Sequence, residues 1–339
     1  VDPLKLKIGI IGAGRIGRLH AENIVTSIRE VEVRSIADAY VNDNLRKWAD
    51  SIGINRVYEN HKEIIEDPDI DAVLICSPTD THSQFIIEAA RAGKHIFCEK
   101  PIDFDVKRIE EALDAVDVAR VKLQIGFNRR FDHNFRRIKE HIENGKIGDI
   151  HIVKITSRDP VPPPIEYVKV SGGIFLDMTI HDFDMVRYLT SSEVVEVYAV
   201  GEALIDPSIR QYDDVDTAIV TLKFDNGAIG TIDNSRRAVY GYDQRVEVFG
   251  SKGCLITGND KPNAVEMYGQ DWVYSEKPKY FFLERYKQSY IDEIRSFINA
   301  IYEDREPEVT GLDGLKPVLI GQAAKKSLKT GMPIRVEVV

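Results

Sequence analysis

An apolar run near the start of the chain ends in Gly12-Ala13-Gly14-Arg15-Ile16-Gly17, and the next apolar run closes on an aspartate, Asp38. No other feature limits the fold as tightly. Gly12 permits a tight turn out of a strand, Gly14 lets the backbone approach a pyrophosphate, and Gly17 lets the following helix pack close to that strand. The helix N-terminus offers backbone donors and the positive end of its dipole, so Arg15 and Ile16 join the three glycines as expected dinucleotide contacts. Asp38, about twenty residues past the last glycine, is expected to accept from the adenosine ribose hydroxyls and to repel a 2′-phosphate. No arginine follows in Ala39-Tyr40-Val41, so NAD is expected over NADP. The plainer alternative is a glycine turn needed only for packing, with Asp38 capping the turn after it.

The rest of the first 126 residues repeats one rhythm. Lys5–Ile11, Val31–Asp38, Ala72–Cys76, His95–Cys98 and Lys122–Gly126 read as strands. Arg15–Arg29, Asn42–Ile52, Ser83–Ala92 and Val106–Arg120 read as amphipathic helices between them. Such alternation predicts an α/β, Rossmann-like, doubly wound parallel sheet, here a dinucleotide-binding domain over 1–126. From 127 to 339 the pattern is different. A helix at Asn134–Asn144 precedes longer alternating strands at Ile150–Ser157, Glu193–Leu204, Thr217–Phe224, Ala228–Ser235, Gln244–Phe249 and Cys254–Thr257. Asp225-Asn226-Gly227 is a hairpin signal. A helix at Asp313–Thr330 and a strand near Ile334–Val338 close the chain. This half predicts an α+β domain with a large, mainly antiparallel sheet, helices on one face and an oligomer surface on the other.

The formal charge is −10 and no Lys/Arg-dense stripe occurs, which argues against nucleic-acid binding. No run reaches the length of a membrane span. Three scattered cysteines fit neither a disulfide framework nor a zinc site, and a reducing, cytoplasmic setting is expected.

In open α/β sheets ligands lie beyond the carboxyl ends of the strands. Two segments fall there: Ser77-Pro78-Thr79-Asp80-Thr81-His82 and Glu99-Lys100-Pro101. Ser77, Pro78, His82, Glu99 and Lys100 are thus expected cofactor contacts, although His82 serves equally well as a polar helix-start residue. Pro101 keeps Lys100 extended, where its ammonium can face a substrate oxygen; otherwise Lys100 is a surface lysine. Further on, Gly172-Gly173 precedes a short helical segment with Asp177 and His181 four apart on one face. A carboxylate beside an imidazole favours the charged ring and fixes its orientation, as a proton-transfer catalyst needs. The competing reading is a helix N-terminus favouring acids, with a core histidine. No metal is expected: Asp184 does not share a helix face with both Asp177 and His181, and no His pair or Cys ligand supports them.

The glycine fingerprint, Glu99-Lys100-Pro101, and Gly172-Gly173 with Asp177 and His181 resemble the Gfo/Idh/MocA oxidoreductases over essentially the whole chain. Within that family the resemblance is to bacterial inositol 2-dehydrogenases. It is carried by Gly126-Phe127-Asn128-Arg129-Arg130-Phe131-Asp132, Thr156-Ser157-Arg158-Asp159-Pro160, Asp177–Asp184, Asp233–Arg237 and Tyr240–Asp243. The resemblance implies NAD-dependent oxidation of myo-inositol to a cyclic ketone. Lys100 would hold the reacting hydroxyl, His181 would act as general base, and Asp177 would orient His181. Asn128, Arg130, Asp159 and Tyr240 would join these three as substrate contacts, with Tyr242 a further candidate. The structural alternatives are a helix-preceding salt bridge to Asp132 for Arg129 and Arg130, and half-buried strand aromatics for the tyrosines. The Pro160–Pro164 loop would edge the pocket. The resemblance also implies a homotetramer. The alternatives are a dehydrogenase of another cyclic polyol or aldose (scyllo-inositol, glucose), redox-neutral glycoside cleavage with held NAD, and a non-catalytic NAD- or sugar-sensing protein.

Overall fold

The computed structural model describes residues 5–337 and divides into two compact units. The first runs to Asn128 and also takes in Gln288–Lys316; the second comprises Arg129–Lys287 and the residues from Pro317 onward. A division at residue 126 would leave Gln288–Lys316 with the C-terminal half.

In the first unit, β1 (Leu6–Ile11), β2 (Val31–Ala37), β3 (Val57–Tyr58), β4 (Ala72–Ile75), β5 (His95–Glu99) and β6 (Leu123–Gly126) form one sheet in the order β3-β2-β1-β4-β5-β6. Every pairing is parallel. The connections carry α1 (Arg15–Ser27), α2 (Asp43–Ser51), α3 (Lys62–Ile65), α4 (His82–Arg91) and α5 (Val106–Ala119). All of β4 is buried, as an apolar central strand requires. The helix over Lys287–Tyr302 belongs here as well. Its Ile294 and Phe297 pack in one core cluster with Ile10, Ile24, Leu74 and Phe97. That helix was not foreseen, although Tyr290, Ile291, Ile294, Phe297, Ile298 and Ile301 recur at a helical spacing.

The second unit contains α6 (His133–Glu143), β7 (Ile150–Arg158), α7 (Ile165–Val168), α8 (Ile174–Asp177), α9 (Ile180–Thr190), β8 (Val194–Glu202), β9 (Thr217–Phe224), β10 (Ile229–Ser235), β11 (Asp243–Gly250), β12 (Gly253–Thr257), β13 (Glu266–Tyr268), β14 (Val273–Ser275) and α10 (Phe282–Arg285). The Lys287–Tyr302 helix follows as α11, then α12 (Gly311–Thr330) and β15 (Ile334–Arg335). Residue 338, the expected end of the last strand, lies outside the described residues. The sheet order is β12-β11-β7-β10-β9-β8-β15. It is antiparallel except where β7 and β10 run side by side in the same direction. The β9–β10 hairpin turns at Asn226-Gly227, with Gly227 at φ +88°, as the Asn-Gly signal predicts. Burial alternates along β9: Ala218, Val220, Leu222 and Phe224 face inward. Tyr198, Val200, Ile219, Ile229, Phe249 and Ile256 are exposed on the sheet strands.

No helix among the described residues is long and apolar enough to cross a membrane. Cys98 is buried, Cys76 half-buried and Cys254 exposed. Burial pushes the Cys76 and Cys98 thiols well up.

Candidate active site

The glycine loop is shaped by three different constraints. Gly12 adopts φ +98°, and a Cβ there would lie 2.6 Å from the Cys76 carbonyl and the Ser77 nitrogen. The turn after β1 thus lies on the turn after β4. A Cβ on Gly17 would stand 1.9 Å from the Gly12 carbonyl oxygen, so α1 can start this close to β1 only without a side chain. A Cβ on Gly14 would meet nothing within 4 Å. Gly14 is exposed, caps α1 and opens onto the space a pyrophosphate backbone contact needs. Arg15 is exposed and Ile16 half-buried beside it, and the first turn of α1 has no acid to oppose an anion. Asp38, just past β2, accepts from the Ala13 nitrogen at 2.7 Å and the Tyr40 nitrogen at 2.9 Å. It therefore shapes the loop and caps its own turn. Each carboxylate oxygen keeps a second lone pair for a ribose hydroxyl. These residues fit a dinucleotide.

At the same sheet edge, the Ser77 hydroxyl lies 2.6 Å from that of Thr81, and Pro78 precedes a 3₁₀ turn over Thr79–Thr81. His82 opens α4 and is buried. Its Nε2 lies 2.7 Å from the Ser77 carbonyl and its Nδ1 2.8 Å from the Pro101 carbonyl. A neutral ring donates to one of these, and burial pushes its pKa down. His82 thus braces the Ser77 loop and the Lys100–Pro101 turn, whose peptide bond is cis. Lys100 is half-buried where β5 ends. Glu99 turns its carboxylate to His20 Nε2 at 2.8 Å. Asn128 is buried, and its Nδ2 has no acceptor among the described residues.

In the second unit, Asp177 and His181 do not share one continuous helix. Asp177 ends α8, His181 lies in the first turn of α9, and Met178-Thr179 separates them. The break centres on Thr179, which is fully buried. Its hydroxyl donates to Asn234 on β10 at 2.6 Å and approaches the Ile174 carbonyl at 3.2 Å. A threonine hydroxyl competing for backbone and side-chain partners is poorly suited to an uninterrupted helix. Asn234 also donates to Asp182 at 2.9 Å, which fastens the start of α9 to the sheet.

The Asp177 carboxylate accepts from the Tyr167 hydroxyl at 2.8 Å and pairs with Arg236 Nη2 at 2.9 Å. Arg236, buried just past β10, also lies 3.5 Å from Asp159, just past β7. Burial pushes the Asp159 carboxyl up, Arg236 opposes this, and the nearby Asp177 charge adds to it. Tyr167 has no sequence signal, and Arg236 lies in the Asp233–Arg237 stretch without an expected role in the site. The Pro160–Pro164 loop leads into α7, which carries Tyr167.

Arg130 takes a different place from the one expected. It grips Asp184 of α9 through Nε at 2.9 Å and Nη2 at 2.6 Å, both side chains being buried. Arg129 pairs with Asp182 at 2.7 Å, and Asp132 is engaged by Arg285. Both arginines thus hold α9 through its carboxylates. Tyr240 donates to Asp243 at 2.6 Å and remains partly exposed. Tyr242 is buried, 3.3 Å from Arg129, and burial pushes its hydroxyl up to about 12.

The class follows from this architecture and from two family matches. Residues 6–127 match the oxidoreductase family's NAD-binding Rossmann fold, and residues 135–256 match the GFO/IDH/MocA C-terminal domain. The chain belongs to the Gfo/Idh/MocA oxidoreductase family and is an NAD-dependent oxidoreductase. It is 54% identical over 329 residues to the uncharacterized oxidoreductase YrbE of Bacillus subtilis, covering 97% of this chain and 96% of the other. To the myo-inositol 2-dehydrogenase of Thermotoga maritima it is 49% identical over 334 residues, covering 98% and 99%. Among solved structures, the scyllo-inositol dehydrogenase of Lactobacillus casei with bound NAD(H) and scyllo-inositol superposes with a TM-score of 0.91, at 32% identity and 98% and 99% coverage.

Gly17→Ala should destabilise the fold by roughly 1–3 kcal/mol, since the obstructing atom is backbone. Gly14→Ala should leave the melting temperature unchanged and weaken NAD binding; thermal melts and calorimetric titration separate the two. Arg236→Leu should cost about 3 kcal/mol, at the low end for a broken buried pair because Asp159 keeps some solvent. Its folded pKa is already raised, so the folded state holds that proton longer than the unfolded one. The cost should therefore be smallest in acid and grow as pH rises through the carboxylate range, which denaturant melts across pH will read.

Proposed function

We propose that the chain oxidises myo-inositol to 2-keto-myo-inositol with NAD, as an inositol 2-dehydrogenase acting on a CH–OH group. What carries this reading is the match, over nearly the whole of both chains, to the myo-inositol 2-dehydrogenase of Thermotoga maritima. The residues agree with it. Lys100 hydrogen-bonds the reacting hydroxyl and orients it. His181 removes the hydroxyl proton as general base. Asp177, itself held by Tyr167 and Arg236, orients the ring and favours its charged form. NAD supplies the acceptor for the carbon-bound hydrogen as hydride. Asn128, Asp159 and Tyr240 supply further polar contacts for a ligand bearing a hydroxyl on every ring carbon. On the nucleotide side, Gly12, Gly14, Arg15, Ile16, Gly17, Asp38, Ser77 and Pro78 receive the dinucleotide, while His82 and Glu99 brace that edge. No metal takes part in this scheme. The exposed apolar side chains on the large sheet suit a homotetramer, and three unpaired thiols suit a reducing cytoplasm.

Myo-inositol and NAD together should raise the absorbance of reduced nicotinamide, with scyllo-inositol and glucose run beside it. A wild-type enzyme that reduces NAD with one of those two instead would move the assignment to another polyol or an aldose, and one inert toward all three would leave the non-catalytic sensing reading. Lys100→Ala and His181→Ala should each lower kcat by about 10²- to 10⁴-fold, the span of acid–base catalysis, with NAD still bound. Wild-type rates in both would remove them from the reaction. Asp38→Ala should raise the NADP-to-NAD ratio of kcat/KM, and an unchanged ratio would take Asp38 out of cofactor choice.

A further inference from the structure

The first unit buries a cluster next to Lys100 that the reaction above does not use. His20 of α1, Glu99 at the end of β5 and Glu293 of α11 each bring one polar atom within 4.8 Å of the other two. His20 Nε2 donates to Glu99 Oε1 at 2.8 Å and stands 3.9 Å from Glu293 Oε1. The His20 and Glu293 side chains are fully buried, and that of Glu99 is 12% exposed. The ring of His20 is flanked edge-on by Phe97 and Tyr290, with centroids 5.3 and 5.8 Å away. Gln124 of β6 donates to the Glu293 backbone carbonyl at 2.7 Å and so fixes where that residue sits. Gly126, opposite Glu99 on β6, makes room for its carboxylate: a Cβ there would lie 3.0 Å from Oε2.

Neither carboxyl oxygen of Glu293 has a hydrogen-bond partner among the described residues. Two carboxylates sharing one donor in a dry site cannot both stay ionised. The distances decide which has the donor, and it is Glu99. Burial, and then the charge of Glu99, push the Glu293 carboxyl well above the carboxylate range. The neighbouring Cys76 and Cys98 thiols are pushed up as well and bring no counter-charge. A proton on Glu293 leaves the imidazole to Glu99 alone; an ionised Glu293 would compete for it. A shared metal ion is the other use of such a trio. The metal content of the purified protein separates that use from a hydrogen-bonded trio.

We propose that His20 and Glu293 are positioning residues for the reaction: His20 anchors Glu99, a neutral Glu293 leaves that anchor undivided, and Glu99 sets the direction in which Lys100 leaves its strand. This rests on Lys100 holding the substrate hydroxyl. It explains why a histidine on the dinucleotide helix is buried against the acid that precedes the lysine.

The test is a double-mutant cycle on the full chain, with rates and NAD affinity measured for His20→Leu, His20→Gln, Lys100→Ala and His20→Leu/Lys100→Ala. His20→Leu should lower kcat about 10- to 100-fold, as sub-ångström to ångström misplacement does, with NAD affinity unchanged. His20→Gln, whose amide still donates, should recover part of that loss. In the Lys100→Ala background the His20 effect should vanish; a loss that persists there would overturn the proposal. Infrared spectra supply an arm free of turnover. Wild type at neutral pH should show a protonated-carboxyl band that Glu293→Gln lacks, and identical spectra would overturn the neutral Glu293. One divalent metal per chain in purified protein would overturn it too. A wild type inert toward polyols would sink the proposed reaction, leaving the infrared arm to judge the trio.

Discussion

The contact between Gly17 and the Gly12 carbonyl is the constraint on which the dinucleotide-binding unit depends. With no Cβ in the way, α1 begins against the end of β1. Everything at the sheet edge is referred to that closeness: Asp38 reaches the Ala13 nitrogen, the Ser77 turn lies on Gly12, and His20 reaches Glu99. A wider gap would detach all three together. The same glycine-governed approach leaves the backbone at Gly14 bare to solvent, where a phosphate can come near.

The second unit holds its helices with buried charge. Arg129 with Asp182, Arg130 with Asp184 and Arg285 with Asp132 are all buried pairs. Such pairs contribute little net stability against apolar replacements, yet they are costly to leave half-made. Their effect here is on geometry: two of the three fix α9, the helix that bears His181, and Asn234 and Thr179 fix its start. Arg236 does the same for the carboxylate of Asp177.

Much of this was legible in the residues. The parallel sheet, the glycine loop, the Asp38 position and the Asn-Gly hairpin each follow from a local rule with a steric cause. The failures have causes as well. Asp177 and His181 have helical spacing, but the spacing does not reveal that Thr179 would bond across to Asn234, fifty-five residues away, and interrupt the helix. Arg130 stands two residues from Asp132, yet it also grips Asp184, far along the chain. Long-range ion pairs leave no periodic mark. The helix of Lys287–Tyr302 did leave one, and its assignment to the first unit is what places Glu293 beside Glu99.

The parallel pairing of β7 with β10 breaks the alternation of an otherwise antiparallel sheet. Two strands that point the same way end at the same rim, so the residues that leave them, Asp159 and Arg236, emerge as neighbours. An antiparallel partner would have sent one of them to the far side. The long excursion that links the two strands is thereby tethered at both feet, and its own Asp177 returns to the same guanidinium. One cation at that rim ties together three stretches of chain that are distant in sequence.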